Sequence, residues 1–175
     1  MTKFNLDAAH SSIDFSVKHM MVSKVKGSFT NFTAELEGNA EDLHGATISF
    51  EIDVKSINTN NEDRDNHLRS ADFFDTESFP SIKFVATDIK KTDDGEYDVT
   101  GDMTIKDVTK PVTFEVEYGG KGTNPWGQEV VAFSADTKLN RKEFGLVWNQ
   151  ALETGGVLVG EDIKISVELE LNPAQ

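Results

Sequence analysis

Four histidines, His10, His19, His44 and His67, are the side chains best suited to acid–base work or metal ligation, and they sit in four separate segments. There is no His-x-x-x-His repeat and no pair at metal-ligand spacing. Cysteine is absent, which removes thiolate nucleophiles, zinc–thiolate sites and disulfides together. No Gly-x-Ser-x-Gly elbow, phosphate-cradling glycine loop or dinucleotide fingerprint occurs, and Gly155-Gly156 and Gly160 read as turn and strand glycines. Carboxylates abound, but those in the strand-like runs fall on the outward parity, where nothing shifts their pKa toward general-acid work. Two other kinds of chemistry remain. One is apolar: twelve Phe stand against two Tyr, so the aromatic bulk lacks polar handles and suits an apolar guest or an ordinary core. The other is anion recognition by the forked donors of Arg64, Arg69 and Arg141, with His19 and His67 as polar neighbours. For Arg64 and Arg69 the plainer reading is pairing with Asp63, Asp65 and Asp72 to hold their own segment.

The elements that must position these groups are read from hydrophobic alternation. Ile13, Phe15 and Val17 alternate with Asp14, Ser16 and Lys18, the pattern of a strand with one dry face, and His19 continues the inward series at its end. Phe29 has odd parity but Phe32, Ala34 and Leu36 have even parity, so a bulge or bend near Thr30-Asn31 is required to bury all four. Ala46 to Val54 alternates without error. Ile82, Phe84 and Ala86 follow, then the hairpin signal Asp94-Gly95, then Tyr97 to Ile105. Val112 to Tyr118, closed by Gly119-Gly120, Val131 to Leu139, and Ile163 to Leu171 complete eight strands. The inward parity collects Phe15, Val17, Phe50, Ile52, Phe84, Met103, Phe114 and Phe133 as lumen candidates, joined by His19 and Trp148.

Between strands three and four the chain changes character. Asparagine at an N-cap, acids in a first turn and Arg69 in a last turn predict a short helix within residues 60–70, with Asp65 and Arg69 as an i,i+4 pair. Phe73, Phe74 and Phe79 follow on a polar background, fit to fold over an apolar opening or to plug it. With so little helix to cover an apolar sheet face, closure into a barrel is one solution. A two-sheet sandwich shares the strand count and alternation, and pattern alone leaves both open.

The 175 residues suit one domain, spanning 1–175. A net charge of −14 repels phosphodiester backbones and anionic bilayers, so neither nucleic acid nor stable membrane insertion is expected. Met1-Thr2-Lys3 runs straight into Phe4-Asn5-Leu6 without an apolar signal region, which reads as cytoplasmic. A secreted or periplasmic protein with its signal removed is the alternative.

The run from His10 to Phe29 (His-Ser-Ser-Ile-Asp-Phe-Ser-Val-Lys-His-Met-Met-Val-Ser-Lys-Val-Lys-Gly-Ser-Phe) resembles the opening of the YceI-like family of lipocalin-like, polyisoprenoid-binding proteins. So do Asn61 to Asp75, Phe79-Pro80, Thr109 to Val112, Phe144-Gly145-Leu146 with Trp148-Asn149, and Leu152 to Gly156 with Leu158-Val159-Gly160, in order along nearly the whole chain. One departure is Lys106-Asp107, where a basic residue followed by glycine is common. The resemblance implies an all-β, extended eight-stranded antiparallel lipocalin-like barrel that holds a long prenyl lipid, often as a homodimer. The missing catalytic and metal-ligating motifs add the expectation of no cofactor, no metal and no enzymatic activity. Three functions are thus in contention: binding or carriage of a polyisoprenoid or isoprenoid quinone, an enzyme acting on a small amphiphile or prenyl lipid at the barrel mouth, and a stress-linked interaction protein with a filled barrel.

Overall fold

The structure, a computed structural model, describes residues 2–20, 22–147, 149 and 159–174. Alternation of branched or aromatic residues with charged ones builds eleven strands: β1 (Thr2–Leu6), β2 (Ser12–His19), β3 (Ser23–Phe29), β4 (Phe32–Asn39), β5 (Asp42–Asp53), β6 (Ile57–Asn58), β7 (Ser81–Asp93), β8 (Glu96–Ile105), β9 (Val108–Thr123), β10 (Glu129–Asn140) and β11 (Val159–Pro173). They form one antiparallel sheet in the order β1-β4-β5-β7-β8-β9-β10-β11-β2-β3-β6, and β1 returns to pair with β11.

Three pairs of segments are halves of single long strands. Along one edge of β11, Phe4 lies opposite Pro173 and Leu6 opposite Leu171, and further on Ser12 lies opposite Glu168 and His19 opposite Val159. β3 and β4 lie in the same way along β2 and β1, and β5 and β6 along β4 and β3. Counted by ladder, the barrel has eight strands and closes at β11, so it is not a sandwich. The breaks keep their backbone groups bonded: Ser11 Oγ accepts from Glu170 N–H at 3.0 Å, and Asp7 N–H donates to Glu170 O at 2.9 Å.

The parity change falls at Thr30-Asn31, between β3 and β4, and both Phe29 and Phe32 are buried there. Asp94-Gly95 makes the expected hairpin, with Gly95 at φ +72°. Gly119-Gly120, in contrast, does not end its strand. The register slips by one residue between Phe133 opposite Tyr118 and Ala132 opposite Gly120, with Gly120 at φ +110°, and the pairing resumes as far as Thr123 opposite Glu129. The glycines form a bulge because the flanking residues still find ladder partners.

The inserted helix α1 (Glu62–Arg69) is capped by Asn61, whose side-chain oxygen accepts from Arg64 N–H at 3.0 Å. The expected Asp65–Arg69 pair does not form. Asp65 turns inward and accepts from Thr59 N–H at 2.9 Å and from the Thr59 hydroxyl, tying the helix to the end of β6. Buried Phe73 and half-buried Phe74 close that end of the barrel, while Phe79 lies under the ammonium of Lys106, 5.8 Å from its ring centre.

The core is the barrel interior, and the outer face carries exposed Lys83, Asp102, Glu115, Lys138 and Glu168. A membrane-spanning barrel would carry an apolar band there. No described helix is long and apolar enough to cross a membrane. Gly101 permits the close β7–β8 approach: a Cβ on it would meet Val85 O, the Phe84 ring at 2.6 Å and Ala86 Cα at 2.8 Å. Because two of those neighbours are backbone, Gly101→Ala should cost roughly 1–3 kcal/mol. A urea midpoint unchanged from wild type would contradict this account of the β7–β8 contact.

Candidate functional site

The inward faces meet in two adjoining cavities. One, of about 80 Å³, lies between Leu36, Phe50, Phe84, Val99, Phe114 and Phe133. The other, of about 90 Å³, is bounded by Phe15, Val17, Phe50, Ile52, Met103 and Leu146, among others. Phe50 borders both. At this waist the Phe50 ring stacks on Phe84 at 5.0 Å and meets Phe114 edge-on at 5.9 Å, while Phe84 and Phe114 are edge-to-face at 5.1 Å. Farther along, Phe15 lies opposite Gly27 in the ladder, and its ring occupies the space a Cβ there would need. Phe15 also packs on Phe29 at 5.4 Å.

Of the lumen candidates, Phe15, Val17, Phe50, Ile52, Phe84, Met103, Phe114 and Phe133 line one cavity or both. His19 is half-buried at the rim and borders neither. Trp148 lies outside the described residues, as do residues 150–158. Leu36, Val99, Leu146 and Ile165 line the cavities as well; the inward parity marks Leu36, Val99 and Ile165 for burial, whereas no alternation marks Leu146.

The basic candidates occupy the end closed by α1. Arg141 is 2 % exposed and donates to Gly160 O at 2.8 Å, to Leu146 O at 2.5 Å and to Val159 O at 3.4 Å, with its guanidinium 6.0 Å from the Phe73 ring centre. Burial lowers its pKa from the usual arginine value, and nearby Glu161 opposes that shift. Arg64 donates to the Thr59 hydroxyl and carbonyl, each at 2.8 Å. Arg69 donates to Lys55 O and Ile57 O, both at 3.0 Å, and to Asn66 Oδ1 at 3.1 Å. His67 bonds Asp72 at 2.9 Å and stands edge-on to Phe73. The three guanidinium groups are thus anchors between the insertion, the corner after β10 and the barrel wall, mostly through carbonyls.

One cluster was not legible from spacing. Asp7, His10 and Glu170 converge at the break between β1 and β2, with His10 Nδ1 2.8 Å from Asp7 and 3.8 Å from Glu170. The hydrogen bond to Asp7 raises the His10 pKa above its ordinary 6.5, and the same bond holds Asp7 below its ordinary 3.8.

A closed eight-stranded antiparallel barrel with an apolar interior and one end capped by a short helix is a lipocalin-like barrel. The YceI-like domain family matches residues 4–171. A UPF0312 protein of Staphylococcus epidermidis is 46 % identical over 173 residues, covering 98 % of both chains, and one from Staphylococcus aureus is 45 % identical with the same coverage. Among solved structures, the YCEI protein of Campylobacter jejuni superposes with a TM-score of 0.77 at 30 % identity over 100 % of both chains. BcnA of Burkholderia cenocepacia gives 0.83 at 23 % identity over 95 % of this chain and 99 % of its own. A polyisoprenoid-binding domain from Saccharophagus degradans gives 0.72 at 11 % identity over 99 % of this chain and 100 % of its own, a likeness of fold. The chain belongs to the YceI-like family.

Removing the Arg141 guanidinium strands carbonyls of the corner and β11, so Arg141→Met should destabilise the barrel by about 3 kcal/mol, read from chemical denaturation. His10 supplies a pH signature. Its raised pKa means that its contribution is full below pH 6.5 and is lost as pH rises through the folded-state value, whereas that of Asp7 is lost as pH falls below 3.8. His10→Ala should flatten the fall in melting temperature on the alkaline side of pH 6.5. An unaltered slope would assign the fall to other groups.

Proposed function

We propose that this barrel binds a long apolar lipid, a polyisoprenoid or an isoprenoid quinone, in its lumen, and sequesters or carries it without transforming it. The observation that carries this reading is the pair of adjoining cavities whose lining is almost wholly hydrocarbon and aromatic, parted by the Phe50 ring. An apolar cavity of about 150 Å³ stays dry and takes up benzene. The two cavities here, about 80 and 90 Å³, are each smaller. A prenyl chain would therefore have to run through both and spread their lining, with the Phe50 ring turned aside at the waist. Each methylene so hidden from water contributes ~0.8 kcal/mol. The fold shared with a polyisoprenoid-binding domain supports the same class of guest.

Recognition then falls mainly on the chain of the guest. The donors of Arg64, Arg69 and Arg141 are engaged by Thr59, Lys55, Ile57, Leu146 and Gly160, which favours an anchoring role over a clamp on a charged head group. The same engagement weighs against an enzyme at the mouth, which would need those groups free to converge on a reacting atom. A filled-barrel interaction protein differs in carrying no lipid.

Organic extraction and mass spectrometry of the purified protein should release a prenyl lipid, and extracts no richer in lipid than a control protein would favour the filled barrel. Phe50→Arg places a charge at the waist and should abolish uptake of a fluorescent prenyl probe; a folded variant that still binds would place the guest elsewhere. Arg64→Ala should lower the melting temperature, at a cost of about 1–2 kcal/mol. It should also weaken a prenyl phosphate and an uncharged prenol of equal length alike. Selective loss of the phosphate would restore Arg64 as a head-group ligand.

A further inference from the structure

The chain carries a net charge of −14, yet its lysines are not spread evenly. On the outer face at one end of the barrel, Lys138 lies opposite Lys164, Lys164 opposite Ser16 and Ser16 opposite Lys26, a row across the four adjacent strands β10, β11, β2 and β3. Lys18 lies opposite Lys24 one step nearer the rim. Lys142 follows at the corner after β10, where it pairs with Glu161 at 2.9 Å, and Lys138 reaches Asp162 at 3.3 Å. Lys18, Lys24, Lys26 and Lys164 make no ion pair with a described residue. The next row inward, Asp136–Ser166–Asp14–Ser28, ends the basic patch.

Beyond these lysines, the described residues of the rim include exposed apolar side chains. Met20 and Val22, at the tip joining β2 to β3, are 47 % and 87 % exposed, and Val147 is 60 % exposed. Val147 belongs to the same end, because Asn149 bonds both backbone groups of Val159, the ladder partner of His19. Val17, Val159 and Leu146, the inward residues nearest this rim, line the second cavity. Exposed hydrocarbon, a lysine wall and the end of an apolar cavity therefore coincide.

We propose that this end docks the barrel on the surface of an anionic lipid bilayer, with Met20 and Val22 entering the headgroup region and the lysine wall lying on the lipid phosphates. The proposal rests on the lipid-binding reading above and adds where the guest is exchanged. Each basic side chain near an anionic surface contributes about 1 kcal/mol, roughly a fivefold gain in partitioning. Repulsion by acidic groups at the far end of the barrel is weak. β11 has 15 residues, which at the usual rise and tilt put its far end roughly 35–40 Å away along the barrel. That is several times a screening length of about 8 Å at physiological salt. On the α1 side of the same end Glu62, Asp63 and Asp72 are exposed, so the β10–β11–β2–β3 side of the rim is the one that suits such a surface.

The test is sedimentation of the full chain with vesicles of phosphatidylcholine alone and of equal parts phosphatidylcholine and phosphatidylglycerol, at low and physiological salt. Binding is expected to the anionic vesicles, weakened by salt. It should fall at least tenfold in a Lys18→Ser/Lys24→Ser/Lys164→Ser variant and likewise in Val22→Asp, whose side chain is too exposed to matter for folding. Trp126→Ala, in the β9–β10 turn at the opposite end, should bind as wild type. Failure to bind anionic vesicles, equal binding to neutral ones, or loss with Trp126→Ala overturns the proposal. Loss with the lysine variant alone overturns insertion of the tip and leaves only electrostatic contact with the lipid phosphates. Uptake of a prenyl probe from solution by the same variants should be unchanged. A failed docking test with intact uptake thus leaves the lumen reading standing, while failed uptake by wild type would remove that reading itself.

Discussion

The closing ladder along β11 is the constraint on which everything else depends. One edge of this strand pairs with β10, and the other is shared in succession by β2 and β1, so its backbone groups are matched almost end to end. An apolar sheet face with too little helix to cover it has few stable states, and closure hides that face while leaving no open edge. Chain breaks are tolerated within this closure because side chains supply the missing pairing, as Ser11 does opposite Glu170.

Closure dictates a sidedness that then decides chemistry. Every inward position faces the same narrow space, so a run of phenylalanines becomes a waist where Phe50, Phe84 and Phe114 touch, with a cavity on either side. Polar groups are excluded from that space unless each donor finds a partner. Arg141 shows the permitted exception: its guanidinium is buried at the barrel end because three carbonyls receive it. The cap that α1 provides follows the same rule, with Asp65 taken inward by Thr59.

Outside, closure assembles a field that no single segment carries. Lysines from β2, β3, β10 and β11 become neighbours only because those strands are joined in that order. A strongly acidic chain thereby acquires a basic patch at one end, and its net charge is a poor guide to what that patch attracts. Within a screening length of the surface the local arrangement outweighs the distant remainder of the charge.

Much of this was legible in the residues, for a definable reason. The period-two alternation is local, so it placed the lumen residues from Phe15 to Phe133, required the defect at Thr30-Asn31, and marked Asp94-Gly95 as a hairpin. The helix announced itself through an asparagine at its start and the acids that follow it. Resemblance to the YceI-like family favoured a barrel over a sandwich, but alternation alone did not, because both bury the same face. What only the tertiary structure decided depends on partners far apart in the chain. Gly119-Gly120 bulges instead of ending β9; Arg141 serves carbonyls from the β11 side of the corner; and Asp7, His10 and Glu170 meet across the closing seam. Each of these is a choice between a nearby partner and a distant one, and the register of long-range ladders, invisible to a local period, makes that choice.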